Sequence, residues 1–128
     1  MQFLGKKLKF SVNSVFKVLF FVCLVAIEIL SLIPTSPKIV ENTWDKLNHL
    51  VAFGTLFITL SLGFPKLKTK QAFIILLLYG IQIEIAQIFC ENRYFSLLDI
   101  VADIVGIVLG IIIVKFINSY AISSRPRI

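Results

Sequence analysis

The sequence predicts an all-α integral membrane bundle of four transmembrane helices with both termini cytoplasmic. Three observations carry that prediction. Apolar residues make up 58% of the 128 residues and charged residues only 16%, against roughly 25% charged in a soluble domain. The apolar residues gather in four runs, 15–33, 47–64, 72–89 and 100–117. Each approaches the ~20 residues that a helix rising ~1.5 Å per residue needs to cross ~30 Å of hydrocarbon. None of the four has the polar outer face that a helix of a soluble bundle would present, and the mean hydropathy is +0.94. The third observation is where the basic residues fall. With the amino terminus inside, Lys6, Lys7, Lys9, Lys17, Lys66, Lys68, Lys70, Lys115, Arg125 and Arg127 lie on the inner side, against Lys38, Lys46 and Arg93 outside. That is a positive-inside bias. It accounts for the net charge of +6 through topology and anionic lipid headgroups, and nucleic acid is not an expected partner.

A basic cytoplasmic tail, 1–14, leads into the first span. That span is read as a retained helix and not a signal peptide, because it outruns a usual signal core and ends in "IPTSP" without a small-residue cleavage site. The first outer loop brings Asn42 or Thr43 to cap helix 2, with Trp44 at the interface where tryptophan is favoured. "GFPKLKTK" forms a short inner loop in which Thr69 can cap helix 3. The outer loop "CENRYF" is so short that helices 3 and 4 must form a tight hairpin, and Ser96 followed by Asp99 reads as a capping box opening helix 4. The four-helix domain covers 15–117, and a polar cytoplasmic tail follows over 118–128. Cys23 and Cys90 read as small apolar fillers, although their depth also permits a disulfide. With one His and no Cys/His cluster at ligand spacing, neither a metal site nor a cofactor is expected.

The polar residues inside the runs converge in the outer half. Asp45, Asn48 and His49 share one face at the start of helix 2. Gly80, Glu84, Gln87 and Glu91 form a stripe ending at the outer surface of helix 3. Asp99, Asp103, Gly106 and Gly110 lie along one face of helix 4. Glu28 sits at a depth of ~7–8 Å from the outer end of helix 1 by helix rise, a position suited to a pair across the bundle. A charge at the bilayer centre costs about 2.5–3.5 kcal/mol even on the mildest scale, so these groups must face one another. Gly106 and Gly110 read as a close helix contact; the same face would also serve a dimer.

"DKLNHLVAF", "EIAQ" and "NRYFSLLDIVADIVGIVLG" together resemble the VanZ family of small bacterial membrane proteins. Asp45, Lys46 and His49 match its first segment. Glu84 and Gln87 match the second, and Arg93, Ser96, Asp99, Gly106 and Gly110 the third. The resemblance covers roughly residues 44 to 114. Asp103 stands where the family commonly has Asn, and Glu28 lies outside the pattern. The resemblance implies a multi-pass protein of the bacterial cytoplasmic (inner) membrane. The family is named for a member tied to resistance to teicoplanin, a glycopeptide acting on the cell wall precursor at the outer face; possible glycopeptide resistance does not carry over to this chain by resemblance.

Three functions compete. The favoured one is a binding site at the outer leaflet for an anionic or amphipathic envelope ligand: a lipid-linked precursor, a lipid headgroup or a lipoglycopeptide. Its ligand-binding residues would be Asp45, Lys46, His49, Glu84, Gln87, Arg93, Asp99 and Asp103, with Lys46 and Arg93 meeting the anion. In the second, an intramembrane enzyme uses His49 and Glu84 as acid/base candidates on a lipid-linked substrate. In the third, the polar cluster staples a structural bundle. The inner half is almost purely apolar, which disfavours a transporter. Membrane lipid is the one general partner expected, and oligomeric state is left open.

Overall fold

A computed structural model of the chain describes the backbone of residues 2–33, 43–90 and 95–123 and the side chains of 12–33, 46–90 and 95–120. The predicted roles of Asn42, Thr43, Trp44, Asp45, Glu91 and Arg93 rest on side chains outside the described residues. Four helices follow in order: α1 Gln2–Leu32, α2 Thr43–Gly63, α3 Thr69–Gln87 and α4 Leu97–Ser123. Two of them outrun the predicted spans. Helix α1 continues back through most of the expected basic tail, and α4 runs on past the expected end at 117 into the polar tail.

Three helical stretches, Val12–Leu32, Thr69–Gln87 and Leu97–Tyr120, are long and apolar enough to cross a membrane. Helix α2 is 21 residues long but is not among them, because its first turns carry Asp45, Lys46, Asn48 and His49. It is instead the central helix, packed most extensively against α4 and then α1. Phe53, Leu56, Phe57 and Leu60 from α2 form the middle of the core, joined by Leu76 and Ile83 of α3, Ile107 and Val114 of α4 and Phe20 of α1. The outside is as apolar as the inside: Val18, Leu30, Leu78 and Phe116 are all more than half exposed. A surface of that kind belongs against lipid.

In lipid, burying apolar area drives helix association only weakly, so close van der Waals contact must do it. The glycines supply that contact. A Cβ on Gly106 would collide with the Leu50 carbonyl oxygen, and one on Gly110 would meet the Gly54 carbonyl oxygen and Phe57 Cβ at 3.0 Å. The predicted glycine face of helix 4 is therefore spent within the bundle, on α2. At the other end of α2, a Cβ on Gly63 would approach the Lys17 backbone nitrogen of α1 to 2.9 Å.

The helix starts differ from expectation in an informative way. Helix α3 is capped at Lys68, in extended conformation, and not at Thr69. Gln71 three residues on accepts from the Lys68 N–H at 3.0 Å, the reciprocal half of a capping box. Helix α4 opens as predicted in one half: the Asp99 N–H donates to Ser96 Oγ at 3.3 Å. The other half is met from α3, where Glu84 Oε2 accepts from the Ser96 N–H at 3.1 Å. A carboxylate on the neighbouring helix thus ties the hairpin shut. Cys23 and Cys90 are free.

Candidate functional site

The polar residues gather where α1 and α3 end and α2 and α4 begin. Lys46 and His49 stand one turn apart on α2, and Asp99 and Asp103 one turn apart on α4. The backbone-to-backbone approach of Leu50 to Gly106 brings these two faces together. His49 Nδ1 then meets Asp103 Oδ1 at 2.8 Å, and His49 Nε2 lies 3.6 Å from Asp99 Oδ2. Lys46 Nζ is 4.0 Å from the other Asp99 oxygen. The Phe53 ring lies parallel to the His49 imidazole with centroids 6.5 Å apart, walling the site from the core.

Helix α3 closes the third side. Gly80, Glu84 and Gln87 share its buried face, as the stripe predicts. A Cβ on Gly80 would stand 2.7 Å from Asp103 Oδ2, so the glycine makes room for that carboxylate. Glu84 is 0% and Asp103 1% exposed, and Glu84 Oε1 and Asp103 Oδ2 are buried without a hydrogen-bond partner among the described residues. One donor atom each from His49, Glu84 and Asp99 lie within 4.8 Å of one another. These three residues come from three helices, so no sequence spacing could announce the group. An imidazole oriented by one carboxylate and facing two others can hold a proton or a cation.

Gln87 is drawn elsewhere. Its Nε2 donates to the Ser31 carbonyl oxygen of α1 at 3.0 Å, which leaves it as a tie between α3 and α1. The same seam holds Glu28, whose expected partner across the bundle proves to be Gln82, with Nε2 donating to Glu28 Oε1 at 2.8 Å. Tyr79 adds a hydrogen bond from its hydroxyl to the Leu24 carbonyl oxygen at 2.6 Å. Gln82 stands off the Glu84 stripe, and its only signal in the sequence is that of one more polar residue in a mostly apolar helix.

A family model described as VanZ/LLP1 matches residues 2–118. The chain belongs to that family. No curated protein and no solved structure matches it. The VanZ/LLP1 match takes in α1, which the three sequence segments left out, so the α1–α3 seam is part of the family domain and not an addition to it. With its long apolar helices, this VanZ-family chain is a multi-pass membrane protein. In its third segment, the carboxylate of Asp103, where Asn is common, is the one bonded to His49.

Proposed function

We propose that this VanZ-family protein is a four-span protein of the bacterial cytoplasmic membrane that binds the polar head of an anionic or amphipathic envelope ligand at the outer leaflet. The observation that carries the reading is the buried cluster at one end of the bundle. Two carboxylates there are almost fully enclosed, yet each keeps an oxygen without a hydrogen bond among the described residues. Groups left so are costly, and hydroxyl or amine donors on a bound head would complete them. The ten basic residues predicted inside, against three outside, support the outer leaflet for this end. Helix α2, with its 21 residues, reaches about 31 Å at ~1.5 Å per residue, enough for a fourth span screened from lipid by its neighbours. A lipid-linked precursor, a lipid headgroup and a lipoglycopeptide share the required chemistry of a polar anionic head over apolar bulk. Lys46 at the rim of the cluster is placed to meet the anion.

Native mass spectrometry of the protein released from mild detergent tests the reading. A lipid-sized adduct is expected on the wild type, weakened in Lys46→Ala and lost in Glu84→Gln. Glu84→Gln keeps an acceptor for the Ser96 N–H and removes a buried charge, so its melting temperature should match or exceed the wild type, as for a residue held for function. A wild type without adduct ends the reading; so does an adduct indifferent to both substitutions.

One observation favours an enzyme as the second reading. The 2.8 Å contact between His49 Nδ1 and Asp103 orients an imidazole as a general base requires. His49→Asn preserves a donor toward Asp103 but has no base. Unchanged turnover of a lipid-linked substrate by that variant would sink the catalytic reading.

A further inference from the structure

We propose that His49, Glu84 and Asp99 bind a divalent cation of the Zn2+ or Mn2+ type, and that this ion is what meets the anionic head. The inference rests on the proposed binding function and deepens it. Among the described residues the cluster holds three carboxylates, Glu84, Asp99 and Asp103, against Lys46 and one imidazole. A cation seated among those carboxylates would turn their face toward an anionic head from repulsion to attraction.

The geometry points to a metal. Donor atoms of His49, Glu84 and Asp99 converge within 4.8 Å. His49 Nε2 and Asp99 Oδ2 are 3.6 Å apart, too long for a hydrogen bond. It is close to the ~3.4 Å that separates two ligands each held at ~2.1 Å in tetrahedral geometry. His49 is also set as metal-bound histidines are: its Nδ1–H is engaged by Asp103 Oδ1 at 2.8 Å, which turns Nε2 and its lone pair into the site. The independent sign of a missing ligand is Glu84. It is 0% exposed, its Oε2 is used by the Ser96 N–H, and its Oε1 accepts no hydrogen bond from the described residues. One nitrogen and two carboxylate donors suit Zn2+ or Mn2+ and leave a coordination position for an oxygen of a phosphate or carboxylate head.

The test is calorimetric titration of the untagged, chelator-stripped protein in detergent with Zn2+ alone and Mn2+ alone. One site per chain is expected for at least one of the ions. It should be lost in Glu84→Gln and in His49→Asn, and weakened about tenfold in Asp103→Asn, the typical effect of disturbing a residue that orients a metal-bound histidine. Circular dichroism of each variant separates a lost site from a lost fold. No binding by the wild type overturns the inference, as does binding that both Glu84→Gln and His49→Asn retain. Native mass spectrometry of the stripped protein distinguishes this outcome from failure of the underlying function. A lipid adduct that persists without metal keeps the binding function and removes the ion from it. Metal binding with no lipid adduct under any condition keeps the cation site and ends the lipid reading.

Discussion

Replacing Gly106 by alanine is expected to destabilise the bundle by about 3 kcal/mol, the upper end of what overpacking a tight contact costs. The added methyl would land on the Leu50 carbonyl oxygen, with the Leu50 Cα and carbonyl carbon both at 3.0 Å. These are backbone atoms, so no side-chain rotation relieves the collision and α2 must move away from α4. In lipid that separation is not resisted by a hydrophobic effect, since the gap fills with chains as apolar as the helices. The damage also reaches the site. Leu50 follows His49, and Gly106 is one turn beyond Asp103, so parting the helices at Gly106 stretches the 2.8 Å contact between His49 and Asp103. Gly54→Ala supplies the scale: its Cβ would approach the Gly106 carbonyl oxygen only to 3.2 Å, an overlap of a few tenths of an ångström, and its loss should be the smaller. Equal melting temperatures of Gly106→Ala and wild type in the same detergent would mean that the seam is looser than described.

His49→Ala is expected to be the most damaging substitution in the polar cluster, at about 3–5 kcal/mol, the range for breaking a buried charge pair from one side. The reason is what it leaves behind. Asp103 is 1% exposed, and its Oδ2 already lacks a hydrogen bond among the described residues, so removing the imidazole strips Oδ1 of its partner as well. Removing both members should cost far less than removing His49 alone, because an apolar pair carries no enclosed charge. Denaturation of His49→Ala, Asp103→Leu and the double variant forms the cycle. The double variant should recover at least half of the loss. Simple additivity of the two single losses would show that the residues do not depend on each other. Asp103→Asn, which restores the residue common in the family, keeps a carbonyl oxygen for the Nδ1–H and discards the charge, so its stability should equal or exceed that of the wild type.

Much of this protein was written in its residue order. Four apolar runs in a chain with 16% charged residues leave few alternatives to a helical membrane bundle, because a backbone in lipid must satisfy its own hydrogen bonds. The Glu84 stripe, the Ser96 cap and the small face at Gly106 and Gly110 were legible for the same local reason: helical periodicity assigns residues to faces without reference to any other helix. The span limits were less well marked, since a helix does not stop where its apolar run stops; α1 and α4 continue into polar sequence. The partners of each polar group were decided by tertiary structure alone. His49 is paired with Asp103 and not Glu84, Glu84 closes the α3–α4 hairpin, and Gln87 belongs to α1. Periodicity says which face a residue occupies, but the rotation and separation of two helices decide which faces meet. Here those were set by glycines whose missing side chains let α2 and α4 touch backbone to backbone. For the same reason, no spacing of residues announces that one atom each of His49, Glu84 and Asp99, from three helices, lies within 4.8 Å of the others.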